Sequence, residues 1–190
     1  MWVKSQIVYE AILTAAEGEF AENGYVKATI NNIARRAETS SSNVYVYFQS
    51  KLEIALAVYE PWFKNQILAL EQSVSQKRTV ERKLTCLLEG LWKSIPRDEN
   101  RLTAMHIQAL ATATPRDPYS SELLRWTESK IAEILSGVFD KDEDPHNDYL
   151  AVAHMIMLTF DGVGMRQNLR QPLDRSGQMI SQMVSMLARS

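Results

Sequence analysis

The sequence predicts an all-α protein of about nine helices, on the strength of three observations. Apolar residues recur every three or four positions along most of the chain, which is the period of an amphipathic helix. Capping residues, prolines and acidic clusters separate these segments. An alternating, strand-like pattern occurs only in the short segment VYVYF, residues 44–48.

The first helix is predicted from about Lys4 to Glu22, with apolar residues on one side and glutamates mostly on the other. Asn23 and Gly24 end it as a C-cap pair, because glycine adopts backbone conformations that other residues avoid. We expect this helix to pack across the two shorter helices that follow, since short helices bury too little surface to persist alone.

Two short helices joined by a tight turn are predicted between Thr29 and Lys51. Thr29 caps the first helix, and Ser40 caps the second, which runs from Ser41 to about Phe48. The apolar residues that should hold the pair together are Ile30, Ile33, Ala34, Ala37, Val44 and Phe48. This arrangement is a helix-turn-helix.

The outward face of the second short helix suits a DNA groove. Hydroxyl and amide groups can bond to base edges, valine can contact a thymine methyl, and tyrosine hydroxyls can reach phosphates. The face comprises Ser41, Ser42, Asn43, Tyr45, Val46 and Tyr47. On propensity alone, a polar loop followed by a β-strand is an equal alternative, but a lone strand would leave its backbone groups unpaired.

The segment from Ile12 to Ile54 resembles the DNA-binding domain of TetR-type (tetracycline-repressor-like) regulators. The matching features are the apolar helix ending in Phe20, Asn23-Gly24-Tyr25, Thr29, residues 33–37 (IARRA) and Tyr45-x-Tyr47-Phe48-x-Ser50-Lys51. The family's turn usually has glycine followed by an aliphatic residue, where this chain has Glu38 and Thr39. A non-glycine residue with positive φ, or a different turn, is therefore expected there.

The resemblance divides the chain into a DNA-binding domain, residues 1–51, and a ligand-sensing and dimerisation domain, residues 52–190. The residues expected to contact base edges are Ser41, Ser42, Asn43 and Val46, and those expected to contact phosphates are Thr29, Tyr45, Tyr47 and Lys51. Lys51 lies at the start of a helix, where a cation opposes the helix dipole unless it faces a phosphate or solvent.

The charge of the N-terminal segment does not itself favour nucleic acid. The whole chain carries a formal net charge of −2, and residues 1–51 contain five cations and five anions. DNA binding would then depend on hydroxyls, backbone amides at helix N-termini and the doubling of contacts in a dimer, with a shallow salt dependence.

Further helices are predicted to the end of the chain. The boundaries are a kinked helix through Pro61 over 51–75, then Thr79–Ile95, a helix capped by Asp98 over 99–113, Tyr119–Phe139, His146–Gln167, and a last helix opened by Pro172 and Asp174 that ends near Ala188. The last two helices are apolar on more than one face, so each needs more than one partner.

Similarity to the family implies that these two helices form a four-helix dimer interface with a second copy. The residues assigned to it are Val152, Ile156, Phe160, Val163, Met179, Met183 and Leu187. Burial inside a monomeric bundle is the alternative. An effector pocket is implied among apolar side chains of the C-terminal region: Trp62, Phe63, Trp92, Met105, His106, Trp126, Met157 and Phe160.

Other chemistry finds little support in the sequence. The acidic segment Asp140–Asp148 lacks the glycine and glutamate of a calcium-binding loop, the three histidines lack metal-ligand spacing, and no catalytic motif is evident. We therefore expect no metal, no cofactor and no enzyme activity. Cys86 should be a buried thiol, and the lack of a signal peptide or a long apolar run indicates a cytoplasmic protein.

The sequence thus predicts a ligand-responsive transcriptional regulator, a repressor that binds a palindromic operator as a homodimer and is released by a small apolar or aromatic effector. A helical protein-interaction module without duplex DNA binding and an all-α enzyme are the alternatives. The operator, the effector, the regulated genes and the choice between repressor and activator are not specified by the residues.

Overall fold

The computed structural model describes residues 5–114, 117, 119–139, 149–171 and 175–188. Within these ranges it contains nine α-helices and no strand, which confirms the predicted fold class. The helices are α1 (Gln6–Lys27), α2 (Ile30–Arg36), α3 (Ser41–Tyr47), α4 (Lys51–Ser75), α5 (Val80–Glu89), α6 (Leu102–Thr112), α7 (Glu122–Phe139), α8 (Tyr149–Asn168) and α9 (Ser176–Leu187). A π-helical turn (Gly90–Ser94) and a 3-10 turn (Ile95–Arg97) follow α5.

Contacts group the chain into two units. The first unit comprises Met1–Trp62 and Glu99–Ser120, and the second comprises Phe63–Asp98 and Ser121–Ser190. The grouping changes inside α4 and places α6 with α1, α2 and α3, although α6 follows them by more than fifty residues. The functional division at residue 51 stays a prediction.

The first unit is built around α1, which packs against α2 and α6, while α2 packs against α3. Its fully buried side chains include Ile12, Phe20, Ile33, Val44 and Ile54. Apolar burial of this kind stabilises a fold by roughly 25 cal/mol per Å² removed from water, so these short helices depend on their neighbours rather than on intrinsic propensity.

Gly24 interrupts α1, as the predicted C-cap requires. Its φ of 69° is in the region that glycine alone adopts readily, and one further turn, Tyr25 to Lys27, follows before the chain leaves the helix at Ala28. The helical segment therefore extends beyond the predicted end at Glu22.

The second unit packs α7 against α8, and α5 against α7 and α9. Leu84, Leu87, Leu88 and Leu91 are fully buried. Gly90 permits a close approach to α4, since a Cβ atom there would lie 2.4 Å from a methyl carbon of Leu70. This contact explains why the segment after α5 carries a glycine inside helical structure.

Several predicted boundaries were wrong. Helix α6 begins at Leu102 rather than Glu99, because Arg101, with φ 58°, turns the chain immediately before it, and Asp98 instead ends the 3-10 turn. Helix α7 begins at Glu122 rather than Tyr119. The continuous helix across Pro61 is confirmed.

Some predicted features lie outside the described residues. They are the acidic segment from residue 140 to residue 148, including the start of the penultimate helix at His146, and the Pro172 and Asp174 start of the last helix. Where the chain is described again, α8 begins at Tyr149 and α9 at Ser176. No helix among the described residues combines the length and apolar character that crossing a bilayer requires.

Candidate nucleic-acid interface

Helix α3 is short and is held by its caps and two buried anchors. The Asn43 backbone N–H donates to Ser40 Oγ over 3.1 Å, which confirms the predicted N-cap. Val44 is fully buried and Phe48 is 3% exposed. The Phe48 ring also stacks on Tyr9 of α1, with 5.2 Å between ring centroids. The segment from residue 41 to residue 47 is therefore a helix, and the strand alternative is wrong.

The turn between α2 and α3 contains the non-glycine residue with positive φ that the sequence predicted. Glu38 has φ 51°. The Thr39 N–H donates to Ala34 O over 2.9 Å and the Glu38 N–H donates to Arg35 O over 3.3 Å. This pair of bonds is the Schellman arrangement, which normally places glycine where Glu38 stands.

The outward face of α3 is formed by Ser42, Tyr45 and Val46. Tyr45 is 56% exposed and Val46 is 52% exposed. The Ser42 hydroxyl is exposed and lies 2.9 Å from Ser40 Oγ. Tyr45 supplies an aromatic ring with a hydroxyl, Val46 supplies two methyl groups and Ser42 supplies a second hydroxyl. This face of α3 therefore presents both apolar and hydrogen-bonding groups.

Two of the predicted base contacts are instead engaged within the motif. Ser41 Oγ donates to Asn31 Oδ1 over 2.7 Å, and Asn43 Nδ2 donates to Thr39 Oγ1 over 2.8 Å. Both side chains are half-buried. These bonds tie α3 to α2 and to the turn, a bracing contribution that periodicity alone could not reveal.

Three of the four residues predicted to contact phosphates are also bonded within the first unit, whereas Tyr45 is exposed. Thr29 Oγ1 accepts from the Asn32 N–H over 3.1 Å and so caps α2, as predicted. The Tyr47 hydroxyl accepts from the Ser5 N–H over 3.0 Å. Lys51 Nζ donates to two backbone carbonyls, Tyr25 O at 2.8 Å and Ala28 O at 2.9 Å.

One cation near α3, Arg36, is paired with two carboxylates. Arg36 lies 2.6 Å from Glu22 and 3.3 Å from Glu19, which is 3% exposed. The hydrogen bond from Arg36 lowers the pKa of Glu22, and its bonds to Glu22 and Glu19 raise the pKa of Arg36. Glu19 also accepts from Asn32 Nδ2 over 3.1 Å, so these groups fasten α1 to α2.

In the second unit, one side of α8 is apolar and exposed. Its large exposed apolar residues are Leu150, Met155, Leu158 and Met165, each more than 50% exposed, and they recur at helical spacing. Ile156, Phe160 and Val163, which were predicted for the dimer interface, are buried on the opposite side. The predicted register on α8 is therefore corrected, because these three side chains face the interior of the unit.

The other residues predicted for the dimer interface are partly accessible. Val152 on α8 and Met179, Met183 and Leu187 on α9 are half-buried. Met186 on α9 is 68% exposed and was not predicted.

The residues predicted to line a pocket are mainly core residues of their own units. Trp62, Met105 and His106 belong to the first unit, and Phe63, Trp92, Trp126, Met157 and Phe160 belong to the second. Trp92 Nε1 donates to Ile156 O over 3.2 Å, and the Phe63 and Phe160 rings lie 5.5 Å apart. An open groove of about 690 Å³ between α4 and α5 in the second unit is lined by none of them.

His106 is packed as an uncharged aromatic ring. It stacks on Tyr59 with 3.9 Å between centroids and 7° between ring planes. Burial lowers the pKa of His106 to about 4. The imidazole is therefore neutral at pH 7, and its Nδ1 has no hydrogen-bond partner among the described residues.

Metal and thiol chemistry have little basis in the described residues. They contain no group of three or more His, Cys, Asp or Glu side chains that could hold a metal ion. Cys86 is half-buried, rather than buried as predicted, and lies along the groove between α4 and α5.

Comparison with known proteins places this geometry in a family. Residues 12–58, which contain α1 from Ile12 onward, α2, α3 and the start of α4, match the family described as bacterial regulatory proteins, tetR family. Residues 12–58 therefore form a segment of the tetR-family type. This match covers the helix-turn-helix and does not extend to the rest of the chain.

Relatives extend the similarity beyond the motif. The chain is 29% identical over 130 residues to the fatty acid metabolism regulator protein of Bacillus subtilis (strain 168), an alignment covering 68% of this chain and 61% of that protein. The chain thus spans less than two thirds of that relative's length.

Solved structures share the fold. FadR from Bacillus subtilis in complex with stearoyl-CoA has a TM-score of 0.65 at 22% identity, covering 94% of this chain and 97% of that one. FadR from Thermus thermophilus, a TetR-family transcriptional repressor in complex with lauroyl-CoA, has a TM-score of 0.70 at 18% identity, covering 94% and 92%.

We predict that Glu38→Gly stabilises the protein, because glycine adopts positive φ without the steric cost of a Cβ atom. The free energy of unfolding should rise by about 1 kcal/mol relative to Glu38→Ala, which removes the same carboxylate but keeps the Cβ atom. Urea unfolding of both variants measures the difference. Equal stability of the two variants would contradict a strained turn at this position.

Proposed function

We propose that this protein is a ligand-responsive transcriptional repressor that binds a palindromic operator as a homodimer. The observation that carries the proposal is α3, a capped helix of the tetR-family motif whose Tyr45 and Val46 side chains are exposed while Val44 and Phe48 anchor it. A helix held in this way fits a major groove. Such a regulator works where the chromosome is, in the cytoplasm.

The exposed apolar side of α8 supports the homodimer. Contiguous exposed apolar surface is unusual on a monomer and marks association surfaces. Gly162 lies on this side, and a Cβ atom added there meets nothing within 4 Å inside the protomer, so packing within the protomer does not require the glycine. A second copy approaching closely at Gly162 would explain it, and two-fold symmetry would present two recognition helices to a palindrome.

The charges around α3 favour moderate, sequence-directed affinity over strong non-specific binding. Arg36 and Lys51 are engaged within the first unit, which leaves Lys27 and Arg35 as its exposed cations between residues 5 and 62. When few cations of a protein neutralise DNA phosphates, its affinity for DNA depends less steeply on salt concentration. Specificity then depends on the groups that α3 presents to base edges.

We predict that Val46→Ala weakens binding to the operator by about 1 kcal/mol, roughly fivefold, because a methyl contact with a base is lost. Val26→Ala is a matched control, since Val26 is 64% exposed on α1 of the same unit. Fluorescence polarisation with duplexes from the DNA flanking the protein's own coding region measures both variants.

Comparison of the wild type with both variants distinguishes sequence-specific DNA binding through α3 from the alternative functions. A helical interaction module or an enzyme would bind no duplex specifically in any of the three forms. Equal operator affinity of wild type, Val26→Ala and Val46→Ala would likewise contradict the assignment of α3 as the reading helix.

The effector we propose is a long-chain acyl-coenzyme A thioester. The support is the alignment with a fatty acid metabolism regulator and the shared fold with two proteins solved with acyl-CoA ligands. Only the acyl chain of such a ligand is apolar, so this proposal replaces the small apolar or aromatic effector expected from the sequence with a larger ligand that also carries the charged coenzyme A group. The protein would have one conformation that binds DNA and one that does not. Release from DNA requires that the thioester bind the second more tightly, since equal affinity for both would not shift the equilibrium between them.

We predict that lauroyl-CoA or stearoyl-CoA raises the melting temperature and weakens operator binding by about tenfold or more, a typical allosteric coupling. Free coenzyme A and the matching fatty acid are the controls, because each carries one half of the ligand. Operator affinity that neither thioester changes, or that coenzyme A alone changes equally, would contradict this effector class while leaving DNA binding intact.

A further inference from the structure

The ammonium group of Lys51 is occupied by the end of α1. Nζ donates to Tyr25 O at 2.8 Å and to Ala28 O at 2.9 Å. It also lies 4.3 Å from the centroid of the Tyr25 ring, within the range of a cation–π interaction. Three contacts from one short turn therefore converge on a single cation.

Those carbonyls are ones that a helix end leaves without intrahelical partners. Gly24 breaks α1, and the turn from Tyr25 to Ala28 lies beyond the break. The last carbonyls of a helix need outside donors, and a cation is favoured there by the helix dipole. Lys51 supplies both donor and charge.

The position of Lys51 in the sequence is explained by the same contacts. It is the first residue of α4, where a cation opposes that helix's own dipole. Its side chain, however, reaches a carbonyl end of α1 that lies 23 and 26 residues earlier in the chain. The unfavourable interaction of the Lys51 charge with the dipole of α4 is offset by its favourable interaction with the carbonyl end of α1.

We propose that Lys51 is a positioning residue, which fastens the start of α4 to the end of α1 and so fixes the exit of the recognition helix, rather than a phosphate contact. Only Phe48, Gln49 and Ser50 separate α3 from Lys51, so the point at which α4 is fastened limits where α3 can lie. The other side of the Tyr25 turn is held by Gln108, whose Oε1 accepts from the Tyr25 N–H over 3.1 Å. Partial burial also lowers the pKa of Lys51.

The salt dependence of DNA binding separates the two roles. Each phosphate contact contributes about 0.9 to the magnitude of the slope of log K against log salt. We predict that Lys51→Met lowers the melting temperature by about 3 °C or more and weakens binding to every duplex, with the slope unchanged. Lys27→Met, at an exposed lysine of the same unit, is the control and should leave the melting temperature unchanged.

A measurement on the unmutated protein keeps the test decisive if Lys51→Met does not fold. Lysine acetylation followed by mass spectrometry should modify Lys51 more slowly than Lys27 in the free protein, and operator DNA should not change the Lys51 rate. A smaller slope by about 0.9 per subunit with an unchanged melting temperature would overturn the proposal. So would fast modification of Lys51 that becomes slow only when DNA is added.

The DNA-binding experiments rest on the proposed function. The melting temperature and the acetylation rate in the free protein do not depend on it. If the protein binds no duplex, the proposed function fails, while the melting temperature of Lys51→Met and the acetylation rate in the free protein still decide the role of Lys51.

Discussion

A helix of seven residues does not persist alone in water, so the recognition helix exists only because the rest of the first unit holds it. Val44 and Phe48 are buried, and Ser40 Oγ satisfies one of the free N–H groups at the start of α3, that of Asn43. The same burial decides which residues remain outside. Once Val44 and Phe48 point inward, Tyr45 and Val46 must point to solvent, because neighbouring helix positions are about 100° apart.

Polar groups around α3 act mainly as braces. Ser41, Asn43 and Lys51 all bond to atoms of the same unit, and the carboxylate of Glu19 is held by Arg36 and Asn32. Buried or half-buried polar groups that are fully bonded favour one arrangement of the backbone. The short helices can therefore keep a defined orientation although each has little apolar surface of its own.

Local features of the structure could be predicted from the sequence, whereas features set by distant residues could not. The caps at Thr29 and Ser40 depend on residues three positions away, and each is found. The positive φ of Glu38 followed from a missing glycine in a tight turn. The engagement of Lys51 depends on carbonyls placed by the break at Gly24, which no short-range pattern contains.

The register of α8 was missed for a different reason. Met155 and Leu158 are as apolar as Ile156 and Phe160, so hydrophobic periodicity cannot decide which side faces the interior. The tetR-type motif of residues 12–58 was predictable because several local signals had to agree in order along this segment.

The most direct test of the central claim, that α3 reads duplex DNA, is the change in backbone amide NMR signals when the operator is titrated into the protein. We expect the largest shifts in residues 40–47 and at the start of α2, with smaller changes elsewhere in the first unit. Shifts confined to α7, α8 and α9, with the signals of Tyr45 and Val46 unmoved, would contradict it.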